Sequence, residues 1–296
     1  MAADDYTINL HKQFNFPLDI LREYIYAHTN IKVNGFKKIT DGIENEVYDV
    51  GRHMVKIRRR GEVPFACIKW VTDLCKEHDI KAPDIIHCGS ISGDDSEFDI
   101  IIEEKIQGQP ITPDLYEEAG FELRKIHSIK TNGFWKMYET GKFYIDINGS
   151  RADKNDDGSI YDNSLCDIIQ YFRDEKIYDY ADTDYIEQLL YEHQNLKISP
   201  VLCHADYHPK HILGEKHINA VIDWGDFQGG SGYIDLVNFQ MYSEEGHFDK
   251  FLKGYGEINE REFLLNKVHT ILWEIIENEN EIKKAYERKL LNTVKC

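Results

Sequence analysis

The apolar positions of this chain change their period near residue 108. Upstream they alternate: Glu46-Val47-Tyr48-Asp49-Val50 and His53-Met54-Val55-Lys56-Ile57 flank Gly51-Arg52, which predicts a hairpin with Lys56 on its second strand. Ile85-Ile86-His87-Cys88 and Phe98-Asp99-Ile100-Ile101-Ile102-Glu103 predict two more strands around the turn residues Ser92-Gly93-Asp94-Asp95. A helix opened by Phe16-Pro17-Leu18 and running through Ala27 comes before them, followed by an extended stretch from Ile31 to Ile39 that ends at the turn Thr40-Asp41-Gly42. Pro64 opens a second helix reaching about Glu77, with Phe65, Ile68, Val71, Leu74 and Cys75 spaced for one buried face. Beyond Gly108 the intervals become helical, over Leu115 to Ile126, Leu165 to Phe172, Tyr185 to Leu196 and Glu260 to Glu277.

The pattern predicts an α+β fold of two lobes with a cleft between them: a small β-rich lobe over residues 1–107 and a larger, mainly helical lobe over 108–296. The length supports this, because 296 residues with 42% hydrophobic content exceed the usual size of a single core. The 53 acidic side chains outnumber the 35 basic ones, and a net charge of -18 repels nucleic acid and anionic membrane surfaces while attracting a cationic substrate. The 6 cysteines lack both the paired spacing of a zinc site and the density of a disulfide scaffold. The acidic start Met1-Ala2-Ala3-Asp4-Asp5-Tyr6 has no signal-peptide character, and no apolar run approaches the ~20 residues of a membrane span. The expected compartment is the cytoplasm, where nucleoside triphosphates are found.

Candidate chemistry concentrates in one segment, His204-Ala205-Asp206-Tyr207-His208-Pro209-Lys210-His211, followed by Val221-Ile222-Asp223-Trp224. A hydroxyl attacking the terminal phosphate of a nucleotide needs a carboxylate to orient it and take its proton, and metal ions to neutralise the phosphates. Asp206 suits the first role, because apolar Val201-Leu202 and Ile212-Leu213 anchor its loop on both sides. His211 and Asp223 can converge on it as metal ligands. Magnesium favours oxygen, which makes Asp223 the better-matched ligand of the two. His208 and His217 are expected to be ordinary surface or packed residues. The polar stretch from Asn148 to Asn163 loosely resembles a calcium loop, but Ser164 stands where that loop ends in glutamate.

Taken together, His204-Ala205-Asp206 with a ligand position at 211, Ala220-Val221-Ile222-Asp223-Trp224 and Asp235-Leu236 resemble the signature of the aminoglycoside phosphotransferase family of antibiotic and small-molecule kinases. The likeness extends over nearly the whole chain. Thr40-Asp41-Gly42-Ile43-Glu44-Asn45-Glu46-Val47-Tyr48 is similar to the family's nucleotide loop, Met54-Val55-Lys56-Ile57 to its lysine strand, and Gly120-Phe121-Glu122-Leu123-Arg124-Lys125-Ile126-His127 to its first large-lobe helix. Phe251-Leu252-Lys253-Gly254-Tyr255-Gly256 resembles the segment before its C-terminal helices.

The resemblance implies a protein-kinase-like fold that uses ATP or GTP with Mg2+. It implies Asp206 as catalytic base, Lys56 on the nucleotide phosphates with Gly42 and Asn45 in the loop beside them, and Asp223 on magnesium. Glu104 and Ile106 would offer backbone groups to the nucleotide base, while Asp235 and His204 brace the catalytic loop.

This chain departs from the family in three places. His211 stands where the family usually has Asn, as it does in the related macrolide kinases. The nucleotide loop has a single glycine, Gly42. The acid that pairs with Lys56 is expected to be Glu62, with Asp73 and Glu77 further along the helix as alternatives.

Only Trp224 to Ile234 separates the metal aspartate from the following helix, too short for the peptide platform of a protein kinase. The expected acceptor is therefore a small molecule. Glu244, Glu245, Asp249, Glu274 and Glu277 fall where the family binds its substrate, and acids there suit the ammonium groups of an aminoglycoside. Phe239, Tyr242, Phe248, Phe251, Tyr255 and Trp273 fall in the same region and suit a macrolide pocket instead. The expected activity is phosphorylation of an aminoglycoside, and hence antibiotic resistance. The alternatives are a macrolide 2'-phosphotransferase, a kinase of a metabolic hydroxyl compound, and a kinase-like ligand-binding protein without turnover. The expected assembly is a monomer or weak homodimer.

Overall fold

The computed structural model describes residues 16–39, 45–59, 63–92, 97–146 and 162–295. Helix α1 (Leu18–Thr29) is followed by β1 (Lys37–Ile39), β2 (Glu46–Asp49) and β3 (His53–Arg59). Then come α2 (Phe65–Glu77), β4 (Ile85–Ser92) and β5 (Glu97–Glu104). The five strands form one antiparallel sheet in the order β1-β2-β3-β5-β4.

Strand alternation divides the faces of this sheet. Val55 and Ile57 of β3, with Phe98, Ile100 and Ile102 of β5, pack against Leu21 and Ile25 of α1. Lys56 and Arg58 therefore emerge on the other face, with Ile101 and Glu103, where α2 lies across them and buries Phe65, Ile68, Val71 and Cys75. Burying one such aliphatic side chain contributes ~1.5–3 kcal/mol, so the apolar residues flanking Lys56 also fix which way it points.

Gly108 follows the sheet with a φ of +128°, a conformation that favours glycine. The large lobe opens with β6 (Gln109–Pro110), α3 (Tyr116–Ser128), β7 (Gly133–Glu139) and β8 (Lys142–Asp146). It continues through α4 (Asp162–Asp174), α5 (Tyr180–Gln194), β9 (Val201–Cys203), β10 (Ile212–Gly214), β11 (Ile218–Val221) and β12 (Gln228–Gly230). It ends in α6 (Tyr233–Tyr242), α7 (Phe248–Tyr255), α8 (Glu260–Glu277) and α9 (Asn280–Lys295). Two small sheets, β11-β10-β6 and β8-β7-β12-β9, lie among these helices.

The architecture is the two-lobed, protein-kinase-like α+β fold, but the switch to helix after Gly108 is less complete than the sequence suggests. Most of the added strands are too short to show alternation. The longest, β7, has register shifts on either side of Met137 that break its period of two. Strand β4 runs on to Ser92, past the predicted Cys88. Helix α5 begins at Tyr180, well before the predicted Tyr185, because Asp179 caps it by accepting from the Asp182 amide at 2.8 Å. The stretch that resembles a calcium loop lies outside the described residues as far as Tyr161.

One core runs from α2 through α3 and the segment around Tyr207 to Phe251 of α7. A second joins α4, α5, α8 and α9 through Ile169, Phe172, Leu189, Val268, Leu272 and Leu290. Helices α3 and α7 meet through two glycines: a Cβ on Gly254 would collide with the Glu117 carbonyl, and one on Gly120 with the Phe251 carbonyl. Among the described residues, no helix is long and apolar enough to cross a membrane.

Candidate active site

Strand β9 is buried along its whole length and delivers His204 to the start of a tight loop. Asp235, in the first turn of α6 and fully buried, accepts from the amides of His204 at 2.9 Å and Ala205 at 2.7 Å. His127 of α3 lies 3.0 Å from the same carboxylate, and Asn238 donates to the Ala205 carbonyl at 2.7 Å. These bonds hold Ala205 at a φ of +65°, a strained conformation for a residue with a Cβ. His204 is also fully buried, 2.9 Å from the Ile222 carbonyl, so the loop is tied to the segment that leads to Asp223. Asp235 and His204 occupy the bracing positions that the resemblance implies.

Locked in this way, the backbone presents the Asp206 carboxylate between two imidazoles, His208 at 3.3 Å and His211 at 3.2 Å. The ligand atoms of these three side chains all lie within 4.8 Å of one another. Burial pushes the Asp206 pKa upward, but hydrogen bonds from His208 and His211 outweigh it and hold the carboxyl well below its usual range. Burial depresses His211 in turn, yet Asp206 and Asp223 more than offset that and leave its pKa raised.

Asp223 takes a φ of +64° ahead of a single turn at Trp224–Asp226, and the buried Trp224 indole anchors that turn by donating to the Val221 carbonyl at 2.9 Å. One Asp223 oxygen lies 3.7 Å from His211 and the other 3.5 Å from the Lys56 ammonium. The Lys56 charge is the main reason the Asp223 pKa is lowered.

Lys56 forms its shorter ion pair, at 3.0 Å, with Glu103. Burial disfavours the Lys56 charge, but Glu103 and Asp223 reverse the balance and raise its pKa. Met54 stands opposite Glu103 in the sheet and Lys56 opposite Ile101, so Lys56 and Glu103 are diagonal neighbours on one face. Glu62, expected as the partner of Lys56, lies outside the described residues. Asp73 pairs with Lys69 and Lys76 instead.

Asn45, Thr72 of α2 and Ile101 line the same cleft as Lys56 and Asp223. The buried Asn45 Oδ1 has no hydrogen-bond partner among the described residues. Gly42 lies outside them. Glu104 donates its amide to the Asp84 carbonyl at 2.8 Å, and Ile106 follows, half-buried, in the connection to Gly108.

The acids expected at the acceptor site are spread apart. Glu274 of α8 accepts from the Tyr242 hydroxyl at 3.0 Å, and the Tyr242 ring lies 5.3 Å from that of His208, so Glu274 is linked to the loop that carries Asp206. Glu244, Glu245 and Asp249 are exposed, and the Glu277 side chain lies outside the described set. Most of the aromatics are structural. Phe239 and Phe251 are fully buried and stacked 3.9 Å apart, Phe248 stacks on Phe251, Tyr255 bonds His127 at 2.9 Å, and Trp273 donates to His269. Tyr242 alone of the six is exposed.

Sequence reasoning missed His208 as a neighbour of Asp206. In the extended backbone at His208, with a φ of -150°, residues two apart share a side, and this spacing was the available signal. Glu103 was missed because its role depends on strand register.

A lysine held by a carboxylate on one lobe, facing two aspartates on the other, defines a phosphotransferase of the protein-kinase-like class. The model of the phosphotransferase enzyme family (APH) matches residues 35–268, and the chain belongs to that family. No curated protein matches the sequence. Among solved structures, the fold is similar to the streptomycin–ATP ternary complex of APH(2")-IIa, at a TM-score of 0.59 and 18% identity over 94% of this chain and 97% of that one. It is similar to spectinomycin phosphotransferase APH(9)-Ia in complex with ADP and spectinomycin, with the same TM-score, identity and coverage. It is also similar to the GDP complex of aminoglycoside 2'-phosphotransferase-IIIa, at a TM-score of 0.62 and 14% identity over 94% of this chain and 97% of that one.

Proposed function

We propose that this protein transfers the terminal phosphate of ATP or GTP to a hydroxyl of a small cationic molecule, and that an aminoglycoside is the acceptor. The observation that carries this reading is the Asp206 carboxylate, held on a braced backbone between His208 and His211, with His211 reaching on to Asp223 and Asp223 to Lys56. In this reading Asp206 orients the acceptor hydroxyl and takes its proton as the oxygen attacks the phosphorus. Lys56, kept charged by Glu103, binds the nucleotide phosphates. The nucleotide lies against the lobe of residues 1–107, with Asn45 Oδ1 as a polar contact, Gly42 in the phosphate loop, and the backbone at Glu104 and Ile106 beside the base.

The donor set fits a hard divalent cation through the Asp223 carboxylate, with His211 as the nitrogen ligand beside it. Bound magnesium would neutralise charge on the phosphates. On the acceptor side, the Glu274 carboxylate, framed by Tyr242, suits an ammonium group, and the net charge of -18 favours the approach of a cation. Similar folds complexed with streptomycin and spectinomycin support this choice of acceptor.

A macrolide acceptor is the second reading. It is favoured by His211 at the metal position and by the Tyr242 and Tyr286 hydroxyls, 3.4 Å apart, which offer aromatic faces on the acceptor side. A panel of aminoglycosides, macrolides and hydroxylated metabolites, incubated with protein, magnesium and ATP or GTP, tests both readings by mass spectrometry. The expected result is one added phosphate on an aminoglycoside, lost in Asp206→Asn while nucleotide still binds. A panel with no phosphorylated member overturns the proposal.

A further inference from the structure

The two histidines beside Asp206 carry their hydrogens on different ring nitrogens. His208 Nδ1 accepts from the Lys210 amide at 3.2 Å, so its hydrogen sits on Nε2, which faces an Asp206 carboxylate oxygen at 3.3 Å. His211 is turned the other way. Its Nδ1 lies 3.0 Å from the Asp206 carbonyl and 3.2 Å from the Asp206 carboxylate, two groups that only accept, so there the hydrogen is on Nδ1. In the neutral ring the lone pair is then on Nε2, which faces an Asp223 oxygen at 3.7 Å.

A lone pair and a carboxylate that face each other call for a positive charge between them. Two donors of one ion, with bonds of ~2.1 Å, stand ~3–4 Å apart, and the gap between His211 and Asp223 lies inside that span. An oxygen acceptor on the far nitrogen is also the common support of a metal-bound histidine, because it fixes the ring and makes the free nitrogen more basic. The support is firm here, since Asp235 and Asn238 tie down the backbone at Ala205, next to the Asp206 carbonyl. His208, with its hydrogen directed at Asp206, offers no such nitrogen.

Magnesium favours oxygen and sheds its water reluctantly, whereas the later first-row ions bind imidazole nitrogen more tightly. We infer that His211 sets the metal preference of this site, its Nε2 favouring a divalent transition ion over magnesium. The inference rests on the phosphotransferase reading, since it names the class of ion that accompanies the nucleotide.

Cobalt(II) and magnesium, each titrated into the full chain in the presence of ADP, test it. His211→Asn should weaken cobalt binding about 10-fold and magnesium binding less than about 3-fold. Proton NMR of the cobalt complex reads the ligand directly, because the remaining ring N–H of a cobalt-bound histidine is shifted far downfield and disappears in deuterium oxide. That signal should be present in the wild type, lost in His211→Asn and kept in His208→Asn, where the new side chain can still accept from the Lys210 amide. Melting temperatures measured alongside confirm that each variant is folded. ADP and cobalt binding without the shifted signal, its persistence in His211→Asn, its loss in His208→Asn, or an equal fall in affinity for both ions would overturn the role of His211. A chain that binds neither ADP nor metal would overturn the phosphotransferase reading and this inference with it.

Discussion

Asp206 and Glu274 are the two carboxylates to which the proposed function gives a role at the acceptor, and they are held by different means. Asp206 sits on backbone tied down by the buried Asp235 and by Asn238, and two histidines flank its side chain. Glu274 projects from a helix face and is held by single hydrogen bonds from Tyr242 and Asn278. The first arrangement fixes a reacting group at the cost of backbone strain at Ala205. The second leaves a recognition group that can change without disturbing the core beneath it. On the proposed reading, the chemical step is built into the fold, while acceptor choice is carried by replaceable side chains.

Four substitutions or conditions probe this contrast, beginning with the largest effect. Asp206→Asn should lower kcat by about 10³-fold or more with nucleotide affinity kept within a few-fold, as measured by steady-state kinetics and titration. A variant retaining a tenth of wild-type turnover would remove Asp206 from its role as base. Asp235→Asn should cost about 3 kcal/mol in urea unfolding and abolish transfer, because it replaces one acceptor of the amide pair with a donor inside a buried site. Unchanged stability would mean that the loop is braced elsewhere.

The third test is acid. Burial, with His193 stacked 4.2 Å away, lowers the pKa of His269 to about 3. A histidine depressed in the folded state is protonated preferentially in the unfolded chain, so its contribution is lost as pH falls below ~6.5. The core under α8 should lose on the order of 2 kcal/mol between pH 7 and 4.5, and His269→Leu should flatten that slope in thermal melts. Asp206, whose pKa is depressed, keeps its charge over the same interval, so the catalytic loop should be the more acid-resistant region. The smallest effect is expected from Glu274→Gln: KM for a cationic acceptor should rise about 5-fold to 10-fold with kcat nearly unchanged. A fall in kcat without a change in KM would make Glu274 part of the chemistry.

Much of the site was legible in the sequence because Lys56, Asp206 and Asp223 each stand beside apolar residues whose burial determines their direction. Lys56 lies between Val55 and Ile57, and their burial under α1 turns the lysine to the opposite face. Helix α8 matched its predicted Glu260 to Glu277 because Asn259 caps it and a full apolar face follows. Partners fixed by non-local geometry were harder to see. The Lys56–Glu103 pair depends on how two strands distant in the chain align, which the spacing of residues along the chain does not reveal. His208 looked ordinary because proximity to Asp206 requires an extended turn whose angles no local propensity dictates. The β7–β8 hairpin was missed where bulges erase alternation, and most of the aromatics expected at a pocket were claimed by core packing.

Gly120 and Gly254 bring α3 and α7 into backbone contact, and this sets how the lobe can move. Helices separated by side chains can slide by exchanging rotamers, but two helices in backbone contact have no such slack. α3 carries His127 to Asp235, so the pair and the catalytic loop should shift as one plate. Opening for substrate entry is then confined to the joints at its margins, above all the run from Lys105 to Gly108. A bulky residue at Gly254 would act as a wedge, tilting the plate and misaligning Asp206 from more than one helix away.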